Sequence, residues 1–510
     1  MNTLLIDGQW LSGEGEWMVS RNPCNHNILW KKRGADQQQV VEAVAAARQA
    51  QSGWAQRPLM ERCRQLNHFA DLLQLHKKDL AHVIALETGK SLTECLAEVS
   101  AMVNKVQLSL RSFQQRTGDW FRDGQALQHK PLGVVLVLGP FNFPGHLPNG
   151  QIVPALLAGN AVVFKPSEET PWVAERTVQL WQDAGLPAGV LNLVHGGPDI
   201  AEVLCEQPLD GIFFTGSSTT GRQLHAQMAG RPEVLLAMEM GGNNPLIVDQ
   251  GVNSDVALDL IIQSAYVTAG QRCTCARRLI VVESPDSNAL IADLTRRVKQ
   301  LDSGAPMLTM EAPSEFIHDP ESLEPPDWLP QVEPFMGPVI NMAAKNRLLG
   351  AQARLRSLGA HTLVAMKALD DHSGLLTPGL MDMTIPWKRG VEIPDEEWFG
   401  PLLQVYRVAN IESALSLANR TRFGLAAGLI SNNAMVQQRF RQHIRAGVIS
   451  INAPTAGASS ELPFGGIGAS GNHRPGAWYT ADSCVWPQAV RMGASCLISG
   501  HMDGRCNQAS

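Results

Sequence analysis

From Gly133 onward the sequence alternates short β-branched runs with helix-length stretches, and this alternation limits the possible fold more than any other feature. GVVLVLG (133–139) offers no polar residue to water, which is the pattern of a strand buried on both faces. There follow a helical stretch from Asn149 to Ala158, the strand AVVFK (161–165) and a helix from Trp172 to Ala184. The strand VLNLV (190–194), a helix near Asp199 and the strand GIFF (211–214) continue the series. Parallel neighbours need long crossovers, so strands separated by helices predict βαβ units and a doubly wound sheet of the dinucleotide-binding kind. A second series opens at PLIV (245–248), with a helix over 254–268 and the strand RLIVVE (278–283). It runs to about Ile451 and predicts a second α/β lobe. Ahead of both, Asp36 and Gln39 form a capping box for a helix reaching about Gln51, with Val40, Val44 and Ala47 on its apolar face. Amphipathic stretches over 60–75 and 77–112 make the N-terminal region mainly helical. The proline-rich segment 302–334 reads as a surface excursion and residues beyond Arg491 as a tail.

Five hundred and ten residues exceed what one hydrophobic core supports, in keeping with two lobes. A net charge of -6 gives no field to hold a phosphate backbone, so nucleic acid is not an expected partner and a small molecule is. The opening MNTLLIDGQW has no basic leader and no apolar run is long enough to span a bilayer, so neither a targeting segment nor a membrane partner is expected. Nine scattered cysteines without framework spacing predict reduced thiols in a cytoplasmic protein. Cys273-Thr274-Cys275 lacks the companions a zinc site needs, so no metal is expected.

Four segments hold residue types suited to chemistry, and each also has a plainer reading. Thr215 to Gly221, after the strand GIFF, is either an ordinary Gly-rich turn or a place where backbone N–H groups approach a pyrophosphate. Lys165-Pro166-Ser167-Glu168 leaves another strand at the ligand-binding end of such a sheet, or is a solvated loop. Cys273, beside Arg272, Arg277 and Arg278, is either a buried inert thiol or a nucleophile whose thiolate those charges favour. Glu239, between Met238 and Met240, is a structural carboxylate or a general base whose pKa an apolar setting raises.

Taken in chain order, these segments resemble the aldehyde dehydrogenase superfamily from about Leu5 to Val490. The likeness rests on Gly139-Pro140-Phe141-Asn142-Phe143-Pro144, Lys165 to Glu168, Phe214-Thr215-Gly216-Ser217, Met238 to Gly242 and Gly270-Gln271-Arg272-Cys273. Glu397-Trp398-Phe399-Gly400-Pro401 and Pro463-Phe464-Gly465-Gly466 complete it. The resemblance implies an α/β fold with two doubly wound parallel-sheet lobes and a small bridging β element. It divides the chain into a cofactor domain (1–112 and 132–243), a catalytic domain (244–452), a bridging and oligomerisation element (113–131 and 453–490, with strands near 113–131 and 476–490) and a tail (491–510). It also implies NAD-dependent oxidation of an aldehyde to a carboxylate. Cys273 would attack the aldehyde, the Asn142 amide and the Cys273 N–H would hold the oxyanion, and Glu239 would activate the water that hydrolyses the thioester. Lys165, Glu168 and Glu397 would bind ribose hydroxyls and Ser217 a phosphate. Ser167, Gly216, Gly221, Gly241 and Phe399 complete the implied cofactor set. Glu168 would repel a 2′-phosphate, favouring NAD over NADP, and the resemblance implies a homodimer or homotetramer.

Several matching stretches run beyond the shared core, among them GPFNFPGHLPNG (139–150), AGQRCTCARRL (269–279) and PFGGIGASGNHRPGAWY (463–479). They are similar to those of family members acting on a semialdehyde that carries two carboxylates. Such a substrate needs cations, and Arg272, Arg277, Lys105 and Arg111 are the candidates, with Arg278 and Arg474 close by. Ile451 and Ala453 depart from those members, which carry an aromatic and then a basic residue there, a change able to shift specificity. A different semialdehyde, or a non-catalytic binding paralogue, are the alternative readings.

Overall fold

The computed structural model describes residues 2–307 and 333–492. Most of the 302–334 excursion and all of the tail but its first two residues lie outside the described residues. The described flanks of that excursion meet each other, since Ser303 bridges Met336 and Asp302 accepts from the Phe335 N–H.

Among the described residues, two seven-stranded sheets form the centres of the two lobes. The first runs Leu235–Met240, Gly211–Gly216, Val134–Leu138, Ala161–Lys165, Leu191–Leu193, Leu4–Ile6 and Gln9–Leu11 in spatial order. All neighbours are parallel up to Leu191–Leu193, and the last two strands are antiparallel. Burial explains the uninterrupted apolar runs. Val135 and Val137 pack into one cluster with Ile152, Val153 and Trp181, while Val134, Leu136 and Leu138 enter another on the opposite face with Val40, Val44 and Ala47. A strand clothed on both faces has no use for a polar position. The strand order reverses between Val134–Leu138 and Gly211–Gly216, which opens a crevice at their carboxyl ends between the loops that begin at Gly139 and Ser217.

The second sheet runs His361–Val364, Gly379–Asp382, Leu402–Val408, Ala276–Val282, Asn244–Val248, Ala426–Ile430 and Val448–Ile451, parallel apart from its first strand. A third sheet joins Val485–Arg491, Gln125–Pro131 and Trp120–Arg122 as an antiparallel ribbon, with Trp120, Phe121 and Trp486 exposed. Among the described residues no helix is long and apolar enough to cross a membrane, and no His, Cys, Asp and Glu cluster could hold a metal.

Local signals account for most element ends. The helix Gln37–Gln56 starts from the reciprocal capping box of Asp36 and Gln39. The stretch expected as one helix over 77–112 is two, Lys77–Thr88 and Leu92–Arg116, because Gly89 turns left-handed at φ 69° and Ser91 caps the second. That second helix runs through residues 113–116, which the sequence reading gave to the bridging strands. The helix expected over 254–268 stops at Ala265 and tightens into a 3-10 turn, Val267–Gly270. The largest departure is at the N-terminus, where residues before Gly34 form four strands rather than helix.

Candidate active site

The nucleophile segment is a strained loop held from several sides. Thr268 and Ala269 both take left-handed backbone, at φ 57° and 50°, followed by Gly270 at φ 68°. Such conformations cost about 1–3 kcal/mol each for a residue with a Cβ and persist only where surrounding contacts enforce them. A Cβ on Gly270 would lie 2.2 Å from the Gly400 carbonyl, so only glycine fits. The Gln271 amide donates to the Pro338 carbonyl and accepts from the Ile340 N–H, and Asn244 Nδ2 donates to the carbonyls of Cys273 (2.7 Å) and Cys275 (2.9 Å). The loop thus ends at a sulfur whose backbone is fixed, and Cys273 remains partly accessible.

Asn142 meets this loop from the other lobe. Its Nδ2 donates to the Gln271 carbonyl at 2.9 Å, which uses one of two amide hydrogens and leaves the second free. A buried ion pair anchors its segment: Lys90 Nζ contacts Glu98 Oε2 and donates to the Asn142 carbonyl at 2.9 Å, while Glu98 Oε1 accepts from the Gly145 and His146 N–H groups. Sequence reasoning missed Lys90 and Glu98. They lie in a stretch read as one continuous helix, and no motif marks them.

Two carboxylates act on the Cys273 sulfur. Burial first, then Glu397 and Glu239, push its thiol above the ordinary value, with Arg277 opposing. The expectation that neighbouring arginines favour the thiolate is therefore corrected, because carboxylates and desolvation outweigh them. Glu239 is itself raised to about 8, by burial against the opposing pull of Lys105 and of the Gly476 N–H. Glu397 is raised to about 7 by burial, with Arg277 and the Gly242 N–H opposing.

The cofactor candidates line the crevice unevenly. Lys165 is buried with only the Pro166 carbonyl at 2.9 Å and Glu168 at 3.9 Å for company, and its side chain retains free donors. Glu397 accepts only from the Gly242 N–H at 3.3 Å, and Gly241 lets it approach, since a Cβ there would sit 1.9 Å from its carboxylate. Ser217 caps the helix Ser218–Gln227, its hydroxyl accepting from the Thr220 N–H. Ser167 accepts from the Glu169 N–H, and Phe399 packs edge-on to Phe141 at 5.9 Å. Gly221 faces inward: a Cβ would strike the Met240 sulfur at 2.2 Å, so its need is helix-on-sheet packing. Gly216 is likewise pressed against the Phe214 ring.

The substrate cations separate sharply. Arg277 is buried, donating to the carbonyls of Gly400 and Arg272, and Arg278 spends its guanidinium on the carbonyls of Asn243, Leu417 and Ala418. Arg277 thus braces the loop at Arg272 and is corrected from substrate ligand to scaffold, while Arg278 ties its strand to its neighbours. Arg111 is exposed and pairs with Glu461. Lys105 is buried and donates to the Ala477 carbonyl. Arg272 alone keeps a partly open guanidinium, bonded to Glu94, Thr268 and the Ala456 carbonyl and lying 5.3 Å from the Phe143 ring. Glu94, which also accepts from Thr268, was not anticipated from sequence.

The model of the aldehyde dehydrogenase family matches residues 10–490. N-succinylglutamate 5-semialdehyde dehydrogenase of Chromobacterium violaceum is 50% identical, covering 96% of both chains. The enzyme of that name from Salmonella agona is 47% identical over 96% of this chain and 95% of its own. Among solved structures, betaine aldehyde dehydrogenase of Staphylococcus aureus in complex with NAD+ superposes with a TM-score of 0.87 at 24% identity, covering 99% of this chain and 97% of that one. NADP-dependent glyceraldehyde-3-phosphate dehydrogenase of Bacillus halodurans, complexed with NADP, gives 0.83 at 27% identity, covering 96% and 99%.

Proposed function

Since this chain belongs to the aldehyde dehydrogenase family, we propose that it oxidises N-succinylglutamate 5-semialdehyde to N-succinylglutamate with NAD. What carries the reading is the identity of 47–50% along 96% of the chain to dehydrogenases named for that aldehyde. The convergence of Cys273, the free amide hydrogen of Asn142 and Glu239 supports the chemistry.

In this mechanism the Cys273 sulfur, as thiolate, adds to the aldehyde carbon, and the second Asn142 N–H with the Cys273 backbone N–H receives the oxyanion. A bound NAD, which Lys165, Glu397 and Ser217 would hold, would supply the acceptor for the aldehydic hydrogen and its electron pair, so that the carbon left on Cys273 is a thioester. Glu239 then takes a proton from water as the water oxygen adds to the thioester carbon. The carboxylic acid departs and the sulfur is recovered. Burial and the two carboxylates favour thiol over thiolate, so the sulfur gives its proton to solvent before it attacks.

The crevice fits a dinucleotide. It lies at a switch point, opens on the N-terminus of the helix Ser218–Gln227, and presents Lys165 with spare donors and Glu397 with spare acceptors for ribose hydroxyls. Ser217 lies where a phosphate would, and Glu168, half-exposed beside Lys165, disfavours a 2′-phosphate. Arg272 is the cation assigned to a substrate carboxylate, since three of its five N–H donors are engaged and two remain. Residues 1–112 and 132–243 then serve the cofactor and 244–452 the chemistry. The exposed apolar ribbon Trp120–Arg122 and the edge strand Val448–Ile451 favour a homodimer or homotetramer. The free state of every described cysteine accords with the cytoplasm.

A panel of aldehydes with NAD and NADP tests this. N-succinylglutamate 5-semialdehyde should give the highest kcat/KM, and Arg272→Met should raise its KM with little effect on an uncharged aldehyde. An uncharged aldehyde that wins the panel rejects the substrate, and a lower KM for NADP than for NAD rejects the cofactor preference.

A further inference from the structure

Lys105, expected among the substrate cations, is buried against the backbone instead. It projects from the helix Leu92–Arg116, is only 3% exposed, and its Nζ donates to the Ala477 carbonyl at 3.3 Å. One residue earlier, Gly476 receives the Glu239 carboxylate: its N–H bonds to it, and a Cβ at Gly476 would lie 1.9 Å from Oε1. The short strand Gly476–Ala477 thus binds a buried carboxylate through its first residue and a buried ammonium through its second. Ala477 holds that pose in left-handed backbone at φ 54°.

From this geometry we infer that Lys105 is a positioning residue for Glu239, its ammonium and the carboxylate docking on successive residues of the Gly476–Ala477 strand so that the base form of Glu239 is favoured where water is to be deprotonated. The inference rests on Glu239 being the base of thioester hydrolysis. The groups facing the pair are few. Arg474 borders the cavity beside Glu239, Cys273 faces Glu239 from the other lobe, and His146 and Cys484 face Lys105. Burial lowers Lys105 to about 8 and raises Glu239 to about 8, so each group's proton responds to its partner near neutrality. Removing the ammonium withdraws the main influence that keeps Glu239 ionised. Hydrolysis should then need a higher pH, whereas thioester formation, which does not use Glu239, should not change.

The experiment compares Lys105→Met and Lys105→Arg with the parent enzyme, measuring the first-turnover burst of NADH and the steady-state rate from pH 6 to 10. For Lys105→Met the burst should persist, the steady-state rate at pH 7 should fall about tenfold, and its rising limb should move up by about one pH unit. Lys105→Arg, which restores the charge and guards against misfolding of the methionine variant, should return the limb to its original place. A fall in burst and turnover together with an unmoved limb, or a higher KM for the semialdehyde with an unmoved limb, overturns the inference. So does a Lys105→Arg limb displaced like that of Lys105→Met. Should the parent enzyme form no NADH with any semialdehyde, the proposed function fails instead, a different result from all of these.

Discussion

Each lobe contributes one buried carboxylate to the surroundings of the same sulfur, and the two are built alike up to a point. Glu239 ends the strand Leu235–Met240 of the first sheet, and Glu397 precedes the strand Leu402–Val408 of the second. Each rests against a glycine that has no room for a Cβ, Gly476 for the first and Gly241 for the second. Each is raised by burial, to about 8 and about 7. They differ in the cation. Glu397 faces Arg277, a guanidinium clamped on the carbonyls of Gly400 and Arg272. Glu239 faces a lysine whose own affinity for its proton is lowered by burial. A fixed counter-charge suits a carboxylate that binds, whereas a titratable one suits a carboxylate that exchanges protons.

The comparison breaks first at hydrolysis. Glu239→Gln should lower steady-state turnover by about 10³-fold, within the range of general-base removal, while leaving the NADH burst in place. Glu397→Gln should instead raise the KM for NAD by roughly 10- to 100-fold, since a hydrogen bond to a charged group contributes about 1.5–3 kcal/mol. If both variants lose the burst equally, the two carboxylates do not have separate tasks.

A smaller effect concerns pH. Turnover limited by Glu239 should climb as pH rises through about 8, where the base form appears, and change about tenfold per unit below that. The stability contribution has the opposite slope. A carboxyl whose folded pKa is raised from 4.5 to about 8 favours folding fully below 4.5 and loses that contribution as pH rises through 8. Urea midpoints should therefore decline between pH 5 and 9 more steeply in the parent than in Glu239→Gln. Parallel declines would remove Glu239 from the account.

The sequence carried this comparison only halfway. The strands Ala161–Lys165 and Val134–Leu138 were legible because burial on both faces erases polar positions, and the capping box of Asp36 and Gln39 because it is a local hydrogen-bond pattern. The four strands before Gly34 were not legible. Leu4–Ile6 takes its place by pairing with Leu191–Leu193, and it and Gln9–Leu11, at three residues each, have no period to read, while Trp17–Arg21 and Ile28–Arg33 mix polar and apolar positions on a half-exposed hairpin. The motif residues of the site could be named, but their partners could not. Arg272, Arg277 and Arg278 are near neighbours in one motif, and only the fold shows that two are buried against backbone carbonyls while Arg272 stays partly accessible. Lys105 lies 134 residues from Glu239 in sequence (239 minus 105), so nothing in either segment announces the other.

The finest test reads the two carboxylates through the sulfur they share. Both raise the Cys273 thiol, Glu397 more than Glu239, so replacing either with glutamine should increase the thiolate fraction at a fixed pH. Thiolate is the species that alkylates, and each unit of lowered pKa multiplies it about tenfold well below the pKa. At pH 9 both carboxylates are ionised, and iodoacetamide labelling of the Cys273 peptide, followed by mass spectrometry without cofactor, should rank Glu397→Gln above Glu239→Gln above the parent, over a range of about threefold to tenfold. At pH 6.5 Glu239 is mostly protonated in the parent, so the Glu239→Gln gain should vanish while part of the Glu397→Gln gain survives. A Glu239→Gln gain that persists at pH 6.5 would mean that Glu239 is ionised there, and the distinction between a fixed and a titratable counter-charge would have to be withdrawn.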